Sequence, residues 1–583
     1  MRLPLPFDPV AATSRVGRGV QELRSRLPGA RPEWVVLALR GSFPERSERP
    51  RLFGVPLPLA MAPAEASLEH LRELVAGLAS ASFVRGVLLD LSGLTVGATT
   101  AHALREALSA LPRAGKRLVA WVPHLDWLTY YVATAAPEIA APECAELRLV
   151  GLGASQTYFG ELLGRLGVRF EKVARGRYKA AFDELARERM SEPTREQLEA
   201  LLGSLEGHFV ETVAKARGLE PAALRRALED GVVSAEEAKH RGLVDRLAYL
   251  DELAGPKHKS LGEAARFLAP ARREPEGGRV AVVELCGAIV PGRSRRSPAP
   301  LPVPGGQLAG AESVARALRL ARDDERTKAV VLHVDSPGGS AMASDLLWHV
   351  ISRLDEKKPV VACFGAVAAS GGYYVAAGAR KIVAAPTTVT GSIGVLSGKL
   401  SLDGLFARHG VHVEEVGRGR LAHLGSAGRP WDEAERAFME RGADDAYERF
   451  VARVAKGRGL SRERVLELAE GRIWSGLDAA ARGLVDELGS LERALAVARE
   501  LAGLSPDAPH WNVGARTELV LPGAEAAAVT RAFAALSAGP LALASAPRFV
   551  GATQTGLEGL SSVGELTGRA LEAAKTRQER HDG

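Results

Sequence analysis

The chain repeats itself. HRGLVDRL (240–247) returns as ARGLVDEL (481–488) and AKARGL (214–219) as AKGRGL (455–460), both at an offset of 241. Upstream, LGVRFEKVARGR (166–177) returns as HGVHVEEVGRGR (409–420), YYVA (130–133) as YYVA (373–376) and GVLLDL (86–91) as AVVLHV (329–334), all at an offset of 243. A unit of roughly 220 residues has been duplicated, so the fold must be one that works twice in tandem. The first copy spans 31–254 and the second 279–502, joined by a linker over 255–278 that ends in REPEGG. Residues 1–30 form an N-terminal tail and 503–583 a C-terminal extension, whose last part (555–583) reads as an amphipathic helix with a polar end.

Within each copy, short apolar runs alternate with helical patterns. In the second copy RVAVVELCGAI (279–289), KAVVLHVDS (328–336) and PVVACFG (359–365) read as strands. AESVARALRLARDD (311–324) and SDLLWHVISRLDE (344–356) read as helices, and SGGYYVAAGA (370–379) as a helix start. The first copy gives the same order through WVVLALRG, GVLLDL and KRLVAWV. Near-continuous Val/Ile/Leu strands separated by helices predict an α/β fold, each copy a mostly parallel sheet covered by helices.

Composition narrows the class. The 583 residues are 46% apolar and 25% charged, the balance of a globular protein, with a net charge of +6 spread along the chain. A nucleic-acid binder concentrates such charge in a stripe or tail, so no nucleic-acid partner is expected. The densest basic cluster, Arg293, Arg295 and Arg296, sits in PGRSRRSPAPLPVPGG (291–306). Its composition reads as a solvated loop, with contact to acidic phospholipid headgroups as the alternative. Cys144, Cys286 and Cys363 have neither disulfide-framework nor zinc-site spacing. No metal, nucleotide or other cofactor motif is present. The start, MRLPLPFDPVAATSRVGRG, lacks the layout of a secretory signal, and no stretch of 18 apolar residues runs unbroken. The expectation is a soluble or peripheral protein.

Two segments of the second copy suit acyl transfer. DSPGGS (335–340) follows a strand. There Pro337 fixes a turn, and Gly338 and Gly339 allow close approach with N–H groups turned outward, as an oxyanion needs. AVAASGGYY (366–374) places Ser370 between a strand and a helix N-terminus, where the dipole favours developing negative charge. The Gly371 N–H is a candidate second oxyanion donor. Taken alone, Ser370 reads equally well as a helix N-cap and SPGG as an ordinary turn.

A serine nucleophile needs a base. His333, His349 and His409 each fit a packed or surface role better. Lysine serves if burial lowers its pKa from about 10.4. The duplication points to one. At offset 243, Ser370 falls on Trp127 and SPGG on GLTV (93–96), so the first copy has neither nucleophile nor oxyanion turn. Conversely GRYKAAF (176–182) carries Lys179, whose counterpart is Ala422. In isolation Lys179 reads as an exposed lysine opening a helix. Beside this complementarity, the two copies read as supplying different parts of one site.

Taken together, the duplication, SPGG, AASGGYY, TGSIGV (390–395) and GRYKAAFDELARERMS (176–191) resemble the long bacterial form of signal peptide peptidase A, over most of 31–502. The resemblance implies tandem ClpP/crotonase-like repeats and a serine endopeptidase with a Ser–Lys dyad, here Ser370 and Lys179. It also implies an oxyanion donor at Gly339 and a lysine-orienting role for Ser392. Its further implications are peptide substrates such as remnant signal peptides, a homotetramer, and association with a membrane, a cytoplasmic location being the alternative. The long form usually carries an N-terminal membrane anchor, which this sequence does not display.

Three other readings compete. A crotonase-like enzyme acting on acyl thioesters would use an N–H anion hole for an enolate and need no serine. A ClpP-like Ser–His peptidase would need a histidine near TGSIGV, where none stands. A scaffold without activity would have no reason to keep SPGG, ASGG and the lysine.

Overall fold

The computed structural model describes residues 31–46, 51–52, 55–56, 66–254, 258–264, 267–268, 277–296 and 306–514. The N-terminal tail, most of the linker and the amphipathic segment at 555–583 lie outside the described residues.

Each half of the chain builds its own parallel sheet. The first has six strands in the order Arg246–Leu247, Glu138–Ala141, Arg117–Trp121, Gly86–Leu94, Trp34–Gly41 and His258–Ser260. The second has eight. Its main path runs Ile473–Ser475, Val389–Gly391, Val360–Ala369, Thr327–Ser336, Arg279–Cys286 and His510–Val513, with Lys381–Ala384 and Glu487–Leu488 branching from Val360–Ala369. Only Ile473–Ser475 is antiparallel. His258–Ser260 and His510–Val513 edge the two sheets from the stretches read in sequence as linker and extension.

The central strands are β-branched and buried on both faces, which is why they do not alternate with polar residues. Val330, Leu332 and Val334 point into one core, while Ala329 and Val331 meet the helix Leu491–Leu501 on the other side. A separate core fills the first half.

The halves share their anchoring devices as well as their order. The buried Tyr130 hydroxyl donates to the Leu243 carbonyl at 2.8 Å, and that of Tyr373 to the Leu484 carbonyl at 2.8 Å. A hydroxyl in such surroundings needs its partner. The long helices Glu192–Arg217 and Glu433–Arg458 both end at a left-handed glycine, Gly218 and Gly459. Their last arginines pair with Asp245 and Asp486, each at 2.7 Å.

One strand crosses between the halves. Arg169–Arg175 runs antiparallel to Val395–Ser401, in register from Arg175 opposite Val395 to Arg169 opposite Ser401. The segment that follows it, with Lys179, is thereby carried onto the second half. The sequence match of 166–177 with 409–420 suggests an equivalent strand there, and the structure has none. Residues 411–417 form no strand, and Val416 is 99% exposed. A strand exists only when its N–H and C=O groups are paired, and no described strand runs beside these residues. A second difference concerns 291–306, read as a loop. Arg295–Arg296 forms a short strand antiparallel to Gln307–Gly310.

Candidate active site

Ser370 sits between the strand Val360–Ala369 and the short helix Gly371–Ala376, at φ 52° and ψ −118°. Non-glycine residues rarely adopt this backbone, at a cost of about 1–3 kcal/mol that the surroundings must hold. The Ser370 N–H donates to the Gly391 carbonyl at 2.8 Å, and the Tyr374 N–H to the Ser370 carbonyl at 2.9 Å. The side chain does not cap the helix, contrary to the N-cap reading. Its hydroxyl points elsewhere.

It points at Lys179. Lys179 Nζ lies 2.9 Å from Ser370 Oγ, 2.9 Å from Ser392 Oγ and 2.8 Å from the Ser392 carbonyl oxygen. Both partners come from one chain. The isolated reading of Lys179, exposed at a helix start, is corrected on both counts. It lies in an irregular segment ahead of the helix Asp183–Ala186 and is 6% exposed. Burial, and next the charge of Lys172, bring its pKa down from 10.5 to about 7, with no carboxylate to oppose them. An amine in this state can take a proton at neutral pH.

Ser392 is placed by the same economy of backbone. It follows the strand Val389–Gly391 at φ 51°, and its N–H donates to the Arg472 carbonyl at 2.7 Å. The lysine segment is tied down from the second half, since the Tyr178 N–H donates to the Glu470 carbonyl at 2.7 Å.

The SPGG turn faces the serine. Gly338 has φ 108°, and a Cβ there would lie 2.8 Å from the Ser370 Cβ, so no other residue fits. The strand Ala288–Val290 clamps the turn. The Ile289 N–H donates to the Gly338 carbonyl at 2.8 Å, and the Ser340 N–H to the Ile289 carbonyl at 2.9 Å. The Gly338 N–H is taken by Ser336 Oγ at 3.1 Å. These bonds leave the neighbouring N–H groups of Gly339 and Gly371 without a protein acceptor among the described residues. Two such donors beside a hydroxyl can hold the oxygen of a polarised carbonyl. A cavity opens next to them, with Ala180, Ala181, Ala369, Val367, Val389 and Tyr178 in its walls.

The corresponding place in the first half is filled. Asp126 caps the helix Trp127–Ala133 by accepting from the Thr129 N–H at 2.8 Å, and the Trp127 ring packs on Phe209 with centroids 4.0 Å apart. The strand Gly86–Leu94 ends one residue later than its counterpart, and Thr95 and Val96 stand where the second half has Gly338 and Gly339. Among the described residues no histidine is bonded to Ser370. His349 and His409 are exposed, and His333 sits within the sheet beside Cys363 and Glu284. Among the described residues no group of His, Cys, Asp and Glu is arranged to hold a metal ion. Sequence reasoning passed over Lys172 and Asp183, which support Lys179. Both look like ordinary surface charges until the segment folds back.

The sequence matches the description Peptidase family S49 over residues 110–262 and 352–505, and Clp protease over 307–390. It is 33% identical to a protein of Arabidopsis thaliana called Serine protease SPPA, chloroplastic, over 72% of this chain and 64% of that one. The chain thus spans a little under two thirds of that plant relative. It is 32% identical to Protease 4 of Haemophilus influenzae, over 73% of this chain and 71% of that one. With two S49 matches, one in each half, and a Clp protease match across the second sheet, the fold is a pair of tandem ClpP-like repeats.

Proposed function

Because the chain belongs to peptidase family S49, and so to the serine peptidases, we propose that it is an endopeptidase in which Ser370 is the nucleophile and Lys179 the general base. The observation that carries this reading is the 2.9 Å approach of a buried, readily neutral amine to the hydroxyl of a serine held on a strained backbone.

The steps follow from the geometry. Ser370 Oγ attacks the scissile carbonyl carbon as its proton passes to Lys179 Nζ. The carbonyl oxygen, now negative, rests on the N–H groups of Gly339 and Gly371. Collapse breaks the C–N bond, and the Lys179 ammonium returns the proton to the leaving amine. A water then attacks the acyl-enzyme with Lys179 again taking a proton, and Ser370 leaves as the hydroxyl. Ser392, through its hydroxyl and carbonyl, occupies two directions around Nζ and so aims the amine at Ser370. Replacement of either Ser370 or Lys179 by Ala is expected to abolish peptide hydrolysis in a folded protein. Near wild-type turnover in Lys179→Ala would remove the lysine from the mechanism.

Ala180, Ala181, Val367, Ala369 and Val389 give the cavity beside Ser370 an apolar side, which supports remnant signal peptides and other membrane-proximal peptides as substrates, while Gln156, Thr194 and Gln197 line the rest. We place the enzyme at a membrane surface on that basis. Among the described residues no helix is long and apolar enough to cross one.

We also read the protein as a homotetramer. In one chain, Arg169–Arg175 is paired by Val395–Ser401. Their counterparts at offset 243 are 412–418 and 152–158. The first of these is extended to solvent, with Val413 48% and Val416 99% exposed. Pairing 412–418 of one copy with 152–158 of the next repeats the internal arrangement head to tail, and a head-to-tail contact closes into a ring when its rotation allows.

A further inference from the structure

An ion pair close behind the candidate base belongs to neither the nucleophile nor the oxyanion turn. Lys172 projects from the strand Arg169–Arg175, and its side chain is 16% exposed. Its ammonium donates to the Lys179 carbonyl oxygen at 2.8 Å and to Asp183 Oδ1 at 2.6 Å. Asp183 is buried too, with Arg187 against its other oxygen at 3.3 Å. The segment between them is folded back over the strand. Phe182, at φ 63°, lays its ring against Phe170 with centroids 5.0 Å apart, on the strand face that also carries Lys172.

We propose that Lys172, held by Asp183, is a positioning residue that fixes the backbone of Lys179 and, by its fixed positive charge, keeps the Lys179 amine unprotonated and ready to receive the Ser370 proton. The proposal rests on the reading of Lys179 as the base. Two cations in one buried site oppose each other, and the one without a carboxylate gives up its proton. Lys172 has Asp183; Lys179 has only hydroxyls and a carbonyl. The charge of Lys172 is the second cause, after burial, of the depressed pKa of Lys179.

The other charged groups on the surrounding elements are engaged elsewhere. Glu470 accepts from the Arg177 N–H at 3.0 Å. Arg472 pairs with Glu196 at 3.1 Å over the Tyr178 hydroxyl. Glu184 holds the side-chain amide of Gln156 at 2.6 Å. Lys172 is therefore the charge that adds to burial in lowering the proton affinity of Lys179.

The test is the pH dependence of acylation of Ser370 by a fluorophosphonate, measured on the full chain as wild type, Lys172→Gln and Lys172→Arg. Gln keeps a hydrogen-bond donor without the charge, and Arg keeps both. The acidic limb of the Lys172→Gln profile is expected to move to higher pH by about half a unit or more, because an amine relieved of a neighbouring cation holds its proton longer. The limb of Lys172→Arg is expected to stay with wild type. A Lys172→Gln profile whose limb overlays wild type, whatever its amplitude, overturns the proposal, as does a Lys172→Arg limb displaced as far as that of Gln. If circular dichroism shows Lys172→Gln unfolded, the apolar pair Lys172→Met with Asp183→Leu takes its place under the same expectation. Acylation at an undiminished rate in Lys179→Ala would instead refute the base assignment itself, independently of the Lys172 profiles.

Discussion

Lys179 Nζ, from the first half of the chain, lies 2.9 Å from Ser370 Oγ at the head of a helix in the second. The amine reaches it through the crossing pair of Arg169–Arg175 with Val395–Ser401, which binds one half to the other along seven residues. Neither half by itself holds both residues of the proposed dyad.

The proton affinity of Lys179 makes activity and stability depend on pH in the same direction. Its folded pKa is about 7 against 10.5 when free, so the unfolded chain binds more protons between these values, and stability from this group rises with pH across that window. Below about 7 the folded protein must carry a buried ammonium. Peptide hydrolysis is expected to climb through pH 7 to a plateau on the alkaline side. Lys179→Met should melt at higher temperature than wild type at pH 7, by the equivalent of roughly 1–4 kcal/mol, measured by thermal denaturation over pH 6–9.

Ser392 tests the aim of the amine rather than its presence. Ser392→Ala removes the hydroxyl at 2.9 Å and leaves the carbonyl at 2.8 Å, so Nζ keeps one of its two holders. The kcat for a peptide substrate should fall roughly 10- to 100-fold, less than in Lys179→Ala, since a misaimed group costs less than a missing one. A kcat equal to that of wild type would show that the hydroxyl plays no part.

Much of this was legible in the sequence because duplication supplies an internal comparison. The strands Thr327–Ser336 and Val360–Ala369 follow from their Val-rich runs, which only a sheet buried on both faces accommodates. Ser370 and Lys179 stand out because Trp127 and Ala422 occupy the matching places. Other features lie in three dimensions alone. Nothing in the spelling of KVARGRYK shows that Lys172 reaches the carbonyl of Lys179, since that depends on how the chain turns after the strand, with Gly176 at φ 107°. The match of 409–420 to a real strand misleads, because similarity of side chains does not provide a backbone partner. The positive φ of Ser370 and Ser392 is likewise set by their neighbours rather than by residue type.

The exposed stretch at 412–418 makes assembly testable. Val413→Pro removes a backbone donor from the segment expected to pair with the next copy, and proline is excluded from the interior of a sheet. By light scattering the wild type should have the mass of four chains of 61.7 kDa and the variant a smaller one, with circular dichroism unchanged. A wild type that runs as a monomer at micromolar concentration contradicts the head-to-tail ring.

The most direct measurement is covalent labelling by a fluorophosphonate at pH 8, read by mass spectrometry of the digested protein. One adduct is expected in the wild type, on Ser370, with labelling abolished in Ser370→Ala and at least about a hundredfold slower in Lys179→Ala. An adduct on a different serine, or labelling of Ser370 at an undiminished rate without Lys179, would contradict a site shared between the two halves.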